Sequence, residues 1–300
     1  MLHVVRRYFN LPASVWRHLH FEGVIDASLP NGQAVKLHHF GALVENEIFW
    51  TRRPGGVEWA SMELWMRLCP HARCIVDIGA NSGIYALYAK AINPSARVLA
   101  IEPLPGVLTR LVQNVRANDL DIDVVPCALS DADGVAIVYE PEGASHVYSV
   151  TVNDNLNDDD APVVASRVMT RRFDSLAVDL GIDLGDGPFL MKLDVETHEP
   201  AVLDGLGRFL KKGRPILQVE VLNDDVADSI QQILGALDYR FFDIDDATGW
   251  LTERPTVQRS SFWNVLAIPQ EQSILFGHVC DELSGASLVV PGWQHAGVEA

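Results

Sequence analysis

Two clusters of residues in this chain are of the types and spacing that do chemistry. The first is Asp77-Ile78-Gly79-Ala80-Asn81-Ser82-Gly83, which closes the apolar run Cys74-Ile75-Val76 and leads into Tyr85 to Ala91. The run reads as a parallel strand buried on both faces and Tyr85 to Ala91 as a helix, so the acid and the glycines fall at the carboxyl end of a strand, where open α/β sheets bind ligands. Gly79 and Gly83 let the backbone turn tightly and approach a ligand with no Cβ in the way. The second cluster is Lys192, Asp194, Glu196 and His198, spaced two apart at the end of the apolar run Phe189 to Leu193. On an extended chain such residues share one face. Polar groups there are costly when buried without partners, which makes them active-site candidates. The competing reading puts Glu196 and His198 in the following helix and leaves Lys192 and Asp194 as a structural ion pair.

The glycine spacing discriminates between cofactors. A dinucleotide fold requires GxGxxG, which serves a pyrophosphate. Here Asp77 is followed by GxNxG instead, a pattern suited to a ligand without phosphate, whose cationic amino-acid end and ribose hydroxyls call for carboxylates and amides. S-adenosylmethionine is such a ligand. Arg97 to Ile101 reads as the next strand, and Glu102 closes it with a carboxylate able to accept both ribose hydroxyls.

These clusters need a sheet to position them. Residues 1 to about 70 hold a Trp- and Arg-containing leader, a hairpin signal across Pro30-Asn31-Gly32 and a helical pattern over Val57 to Leu68, together an N-terminal cap. From residue 71 strands and helices alternate: Cys74 to Ile78, Tyr85 to Ala91, Arg97 to Ile101, Val107 to Ala117 as a helix, then Ile122 to Leu129. Val135 to Tyr139 and Val147 to Val152 are β-like, and Asn153 to Asp160 is a polar, acidic stretch read as a solvated loop. Alternation resumes with Phe173 to Asp179, Phe189 to Leu193, Pro200 to Leu210, Ile216 to Val221, Val226 to Leu237, Tyr239 to Ile244 and Asn264 to Ile268. The expectation is an α/β, Rossmann-like, doubly wound sheet of seven strands with an antiparallel last strand, spanning 71–270. Residues 271–300 read as a C-terminal tail.

Composition excludes several classes. A chain of 300 residues buries enough surface to need no covalent staple, and its four cysteines show no CxxC spacing, which points to a reducing cytoplasm and against disulfides or structural zinc. The net charge of −17 disfavours nucleic acid as a partner. No run of about 18 apolar residues exists to span a membrane, and Arg6, Arg7 and Arg17 near the start do not read as a secretory signal. The basic N-terminus is expected to pack on the domain, a membrane-surface helix being the alternative.

In order, Asp77 to Gly83, Ala100-Ile101-Glu102-Pro103, Asn114, Cys127 to Asp131, Arg171 to Leu176, Lys192 to Glu199, Val219 to Val221 and Asn264 to Pro269 resemble the FkbM-type methyltransferases, a class I S-adenosylmethionine-dependent family. The resemblance spans roughly Glu58 to Pro269. It implies methyl transfer to a hydroxyl on a sugar, glycan or secondary-metabolite acceptor. It further implies that Asp77 and Gly79 orient the methionine end, that Ala80, Asn81 and Gly83 shape the turn, and that Glu102 holds the ribose. Ser130 and Asp131 fall where such folds hold adenine, Glu58 reaches in from the cap, and Asp194 closes the site. A general base must take the hydroxyl proton, with His198, Asp194 and Glu196 as catalytic candidates. No metal is expected, although Asp194, Glu196 and Glu220 are hard oxygen donors. The alternatives are an N-methyltransferase, or a methyltransferase fold that binds without catalysis. The family carries glycine where this chain has Thr197, and a left-handed residue at that place is strained when β-branched.

Overall fold

The computed structural model describes residues 11–141, 163–185, 187–259 and 262–283. The readings placed on residues 1–10, on Val147 to Val152, on Asn153 to Asp160 and on residues 284–300 lie outside them.

A one-turn helix α1 (Ala13–Trp16) leads into the antiparallel hairpin β1 (Glu22–Ser28) and β2 (Ala34–Phe40), turned at Pro30-Asn31-Gly32 as the sequence predicts. Helices α2 (Leu43–Thr51) and α3 (Trp59–Leu68) complete the cap. The nucleotide-type unit follows as β3 (Cys74–Ile78), α4 (Ile84–Ile92), β4 (Arg97–Ile101), α5 (Pro105–Asn118) and β5 (Asp123–Val125). Next come β6 (Ala128–Leu129), β7 (Gly134–Pro141), β8 (Val163–Arg171), α6 (Phe173–Asp179), β9 (Phe189–Leu193), α7 (Glu199–Leu206), β10 (Ile216–Glu220) and α8 (Asp224–Leu234). The chain closes with β11 (Tyr239–Asp245), β12 (Trp250–Arg254), β13 (Asn264–Pro269) and α9 (Ser273–Leu283).

The central sheet has the order β12-β11-β13-β10-β9-β3-β4-β5. Strands β10, β9, β3, β4 and β5 are parallel, and β13 runs antiparallel to both β10 and β11. The sheet is therefore mixed α/β with eight strands, one more than the sequence signals. The extra strand, β12, is a solvent-facing edge on which Leu251 is fully buried and its neighbours are partly or fully exposed, so it lacks an apolar pattern. Ile122 to Leu129, read as one strand, is two. Pro126 has no N–H to give to a ladder, and the chain leaves the main sheet there, so that β6 joins β8 and β7 in a separate three-stranded sheet. The presumed tail begins as helix α9, which buries Phe276, Val279 and Cys280.

Successive residues of the central strands point into opposite layers, as the two-residue period demands. Ile75 and Leu190 enter the layer shared with α3, α4 and the cap residues Ile25, Leu37 and Phe49, whereas Val76 and Met191 enter the layer with Phe173, Leu203 and Phe209. The cap thus shares one apolar core with the sheet. Polar ties reinforce it. Asp246, just after β11, accepts the N–H groups of Ala60 and Ser61 (2.8 and 2.9 Å) and so caps α3 from across the molecule.

Asn114, fully buried on α5, is a second tie. Its Nδ2 donates to the Ser82 carbonyl (2.8 Å) in the turn after β3, and its Oδ1 accepts the His38 N–H (2.8 Å) from the hairpin. Asn114→Ala leaves both backbone groups without a partner and is expected to lower stability in urea by about 2–4 kcal/mol. Asn118→Ala, which removes exposed bonds to Lys36, is expected to cost about 1 kcal/mol or less.

Candidate active site

Register aligns the site. Asp77 on β3 pairs with Ala100 on β4 and with Lys192 on β9, and Lys192 pairs with Gln218 on β10. The carboxyl ends of four parallel strands therefore finish together, bringing Gly79, Glu102, Asp194 and Glu220 to the mouth of one cavity of about 250 Å³. Gly79 has φ 77°, and a Cβ there would overlap the backbone carbonyl of Asp194, so the close approach of the two strand ends requires glycine.

The cavity has a charged and an apolar part. Glu58, Glu102, Asp194, Glu196, His198 and Glu220 supply the first, and Leu104, Val107, Cys127, Ala128, Leu129 and Val138 belong to the second. Glu102 accepts the N–H groups of Asn81 (3.1 Å) and Leu104 (2.9 Å), one on each oxygen. Burial pushes its pKa up to about 7. Lys192 lies buried beneath, ion-paired with Asp194, its Nζ 4.5 Å from the centre of the Tyr85 ring. Burial opposes its charge, but Asp194, Glu58 and Asp77 outweigh burial and raise its pKa. The Tyr85 hydroxyl in turn donates to Glu58 (3.0 Å).

The second cluster is not one extended face. The strand ends at Leu193, and Val195 to His198 form a turn closed by the His198 N–H to the Val195 carbonyl (3.3 Å), with positive φ at both Glu196 (55°) and Thr197 (76°). That is the type I′ signature. Glu199 clamps it from the first position of α7, accepting the Val195 N–H at 3.0 Å. Asp194, Glu196 and His198 reach the cavity wall by this turn and not by strand alternation. His198 sits just before α7 with its Nε2 3.0 Å from Ser130 Oγ, and burial lowers its pKa against the pull of Asp131.

Among the residues singled out in the sequence, Glu58, Gly79, Asn81, Glu102, Asp194, Glu196 and His198 line the cavity. Asp77, Ala80, Gly83, Ser130 and Asp131 are not among its lining residues. Asp77 is turned toward α4, where its Oδ2 accepts the Ala86 N–H (3.0 Å), and burial raises its pKa to about 6. Ala80 uses its N–H on the Ile101 carbonyl (3.0 Å), Gly83 abuts Leu111, and the Ser130 hydroxyl donates to Asp131 (3.0 Å). Just before Ser130 and Asp131, Cys127, Ala128 and Leu129 line the apolar part of the cavity. That apolar wall carries no sequence signal distinct from core. Glu220 does carry one, since an acid ends a buried strand there as at Glu102.

Asp194, Glu196 and Glu220 each bring one oxygen within 4.8 Å of the others. Burial, with Asp194 and Glu196 nearby, pushes the Glu220 carboxyl far above the usual range, and Glu220 hydrogen-bonds Asp194. Crowding of three carboxyls in this space favours protonation of one of them.

Mixed sheet, glycine turn and acidic strand ends define a methyltransferase-type site. The family described as methyltransferase FkbM domain matches residues 77–241, and the chain belongs to that family. It is 26% identical over 249 residues to the AMB antimetabolite synthetase AmbE of Pseudomonas aeruginosa, covering 71% of this chain and 11% of the synthetase. It is 28% identical over 167 residues to Methyltransferase 1 of Beauveria bassiana, covering 50% and 67%. A solved FkbM methyltransferase from Methylobacillus flagellatus KT superposes with a TM-score of 0.41 at 19% identity, over 66% of this chain and 44% of that one. The chain thus spans about a tenth of the synthetase and two thirds of the fungal enzyme.

The methyl donor of this class is S-adenosyl-L-methionine, and the residues present fit it. The acidic part matches its ammonium and sulfonium groups, the apolar part its adenine, and each Glu102 oxygen retains a lone pair for a ribose hydroxyl. Glu220 Oε2, buried and without a protein partner, is a further polar atom at the cavity.

Glu47, Glu102 and Glu199, each raised to about 7 by burial, bind protons more tightly folded than unfolded. Their stabilisation is complete at low pH and is lost as pH rises through 7. The histidines lowered by burial act oppositely, but only below their ordinary range. The melting temperature of the ligand-free protein is therefore expected to fall between pH 6.5 and 8; a flat or rising profile contradicts these assignments. Thr197→Gly removes left-handed strain of about 1–2 kcal/mol and adds about 0.5–1 kcal/mol of chain entropy cost, so urea denaturation is expected to show a net gain of about 1 kcal/mol.

Proposed function

We propose that the chain transfers the methyl group of S-adenosylmethionine to a hydroxyl oxygen of a sugar, glycan or secondary-metabolite acceptor. The observation that carries this reading is the His198 imidazole, kept neutral by burial, in the wall of the cavity that also holds Glu102 and Asp194. The donor supplies a methyl carbon made electrophilic by its bond to positively charged sulfur. The chain holds it in place: Glu102 takes the ribose hydroxyls, Glu58 and Asp194 face the cationic end, and the turn at Gly79 and Asn81 offers its backbone. Asp77 acts from behind, fixing α4 and the turn through the Ala86 N–H.

An aliphatic hydroxyl is a weak nucleophile, and a base that removes its proton as the new bond forms is worth roughly a hundredfold to ten-thousandfold. His198 takes that proton. Asp194, fixed by Lys192, and Glu196, carried on the type I′ turn, orient the acceptor beside it. Positioning supplies the remainder. The likeness to part of an antimetabolite synthetase supports a secondary-metabolite acceptor. Four buried, unpaired cysteines support a reducing cytoplasmic setting, and no helix among the described residues is long and apolar enough to cross a membrane. The strongly acidic surface disfavours a nucleic-acid acceptor.

Calorimetry is expected to show one S-adenosylmethionine per chain, weakened about tenfold or more by Glu102→Gln. A labelled-methyl screen over hydroxylated metabolites, with mass-spectrometric location of the methyl group, is expected to give an oxygen-linked product. A nitrogen-linked product, or donor binding with no transfer to any hydroxyl, refutes the reading.

A further inference from the structure

His198, Ser130 and Asp131 form a chain whose direction is readable. A carboxylate oxygen only accepts, so the 3.0 Å separation between Asp131 Oδ1 and Ser130 Oγ requires the hydroxyl proton to lie between them. With its one proton committed, the hydroxyl can only accept from His198 Nε2, 3.0 Å away. Nε2 therefore carries hydrogen, and Nδ1, which has no protein partner among the described residues, carries the free lone pair. The arrangement is built into the packing. The Ser130 N–H is held by the Arg171 carbonyl (2.9 Å), and α7 lies so close that a Cβ at Gly205 would overlap the Ser130 carbonyl oxygen. His198 at the head of α7 and Ser130 are thus parts of one rigid contact.

We propose that Ser130 and Asp131 are positioning residues that fix His198 as the Nε2–H tautomer and so present Nδ1 as the proton acceptor in the cavity. The inference rests on the reading of His198 as base. As the acceptor oxygen bonds the methyl carbon and displaces sulfur with its electron pair, the hydroxyl proton passes to Nδ1. The resulting imidazolium keeps its Nε2–H on Ser130, whose hydroxyl polarises toward the Asp131 carboxylate, so the positive charge has a countercharge two bonds away.

The test is nitrogen NMR of full-length protein labelled with 15N-histidine, with His198 assigned by its loss in His198→Gln. Wild type is expected to show a single Nε2–H tautomer. Ser130→Ala frees both nitrogens and Asp131→Asn offers the hydroxyl a donor, so each is expected to bring in the Nδ1–H form, while Ser130→Thr keeps the wild-type signature. Asp131 is exposed, so its variant reports even where Ser130→Ala folds poorly. An Nδ1–H signal in wild type, or an unchanged tautomer in both disruptive variants, overturns the proposal. With an acceptor from the methyl screen, Ser130→Ala is expected to lower kcat at least about tenfold with little change in the KM for S-adenosylmethionine, and Ser130→Thr to restore it. Full turnover in His198→Gln refutes the base itself, whereas loss there with an unmoved tautomer in the other variants refutes only the positioning role.

Discussion

A buried lysine holds the site together. Lys192 is almost without solvent contact, yet it sits within reach of Asp194, Glu58 and Asp77, and those carboxylates keep it charged against the penalty of burial. Each partner belongs to a different part of the chain: Asp194 to the end of β9, Asp77 to β3, and Glu58 to the turn that opens α3. One cation therefore fixes the strand end, the glycine turn and the cap relative to one another. The aromatic face of Tyr85 covers its remaining side, and the Tyr85 hydroxyl returns to Glu58. Removing the lysine would leave Asp77 buried without its countercharge and Glu58 and Asp194 facing each other at the cavity, which is more costly than the pair is stabilising.

Stability is also given up locally for placement. Two consecutive non-glycine residues in left-handed geometry, one of them β-branched, are an unusual way to leave a strand. The turn is held by the Glu199 carboxyl on the Val195 N–H and by the contact of Gly79 with Asp194. What this arrangement achieves is direction. A chain continuing as strand would carry Glu196 and His198 past the sheet edge, whereas the turn folds both back over the cavity.

The central strands were legible because burial on both faces leaves an apolar run, and the acids at 77, 102 and 194 were legible because they interrupt such runs. What sequence did not reveal was which way each side chain turns. One oxygen of Asp77 accepts the Ala86 N–H at the start of α4, a partner that the sequence pattern does not name. Ser130 and Asp131 follow β6, which leaves the main sheet after Pro126 and brings Ser130 to His198. The link between Ser130 and His198, 68 residues apart, has no local signature, and neither does the apolar wall, whose leucines and valines are indistinguishable in type from core. Strand β12 was missed for the complementary reason that its solvent-facing pattern resembles loop.

The cavity wall is assembled from two parts of the chain. Glu102, Gly79, Asn81 and Asp194 all fall within residues 77–241, the stretch that matches the family. Val44 and Glu58, which also line the cavity, come from the cap and lie outside that stretch. The cap shares its apolar core with the sheet through Ile25, Leu37 and Phe49, so its contribution to the cavity is fixed in place rather than hinged. A substitution at Val44 then reshapes the cavity wall without altering its carboxylates. Motifs confined to the matched stretch therefore describe only part of the wall, and the cap's share of it is visible only in the fold.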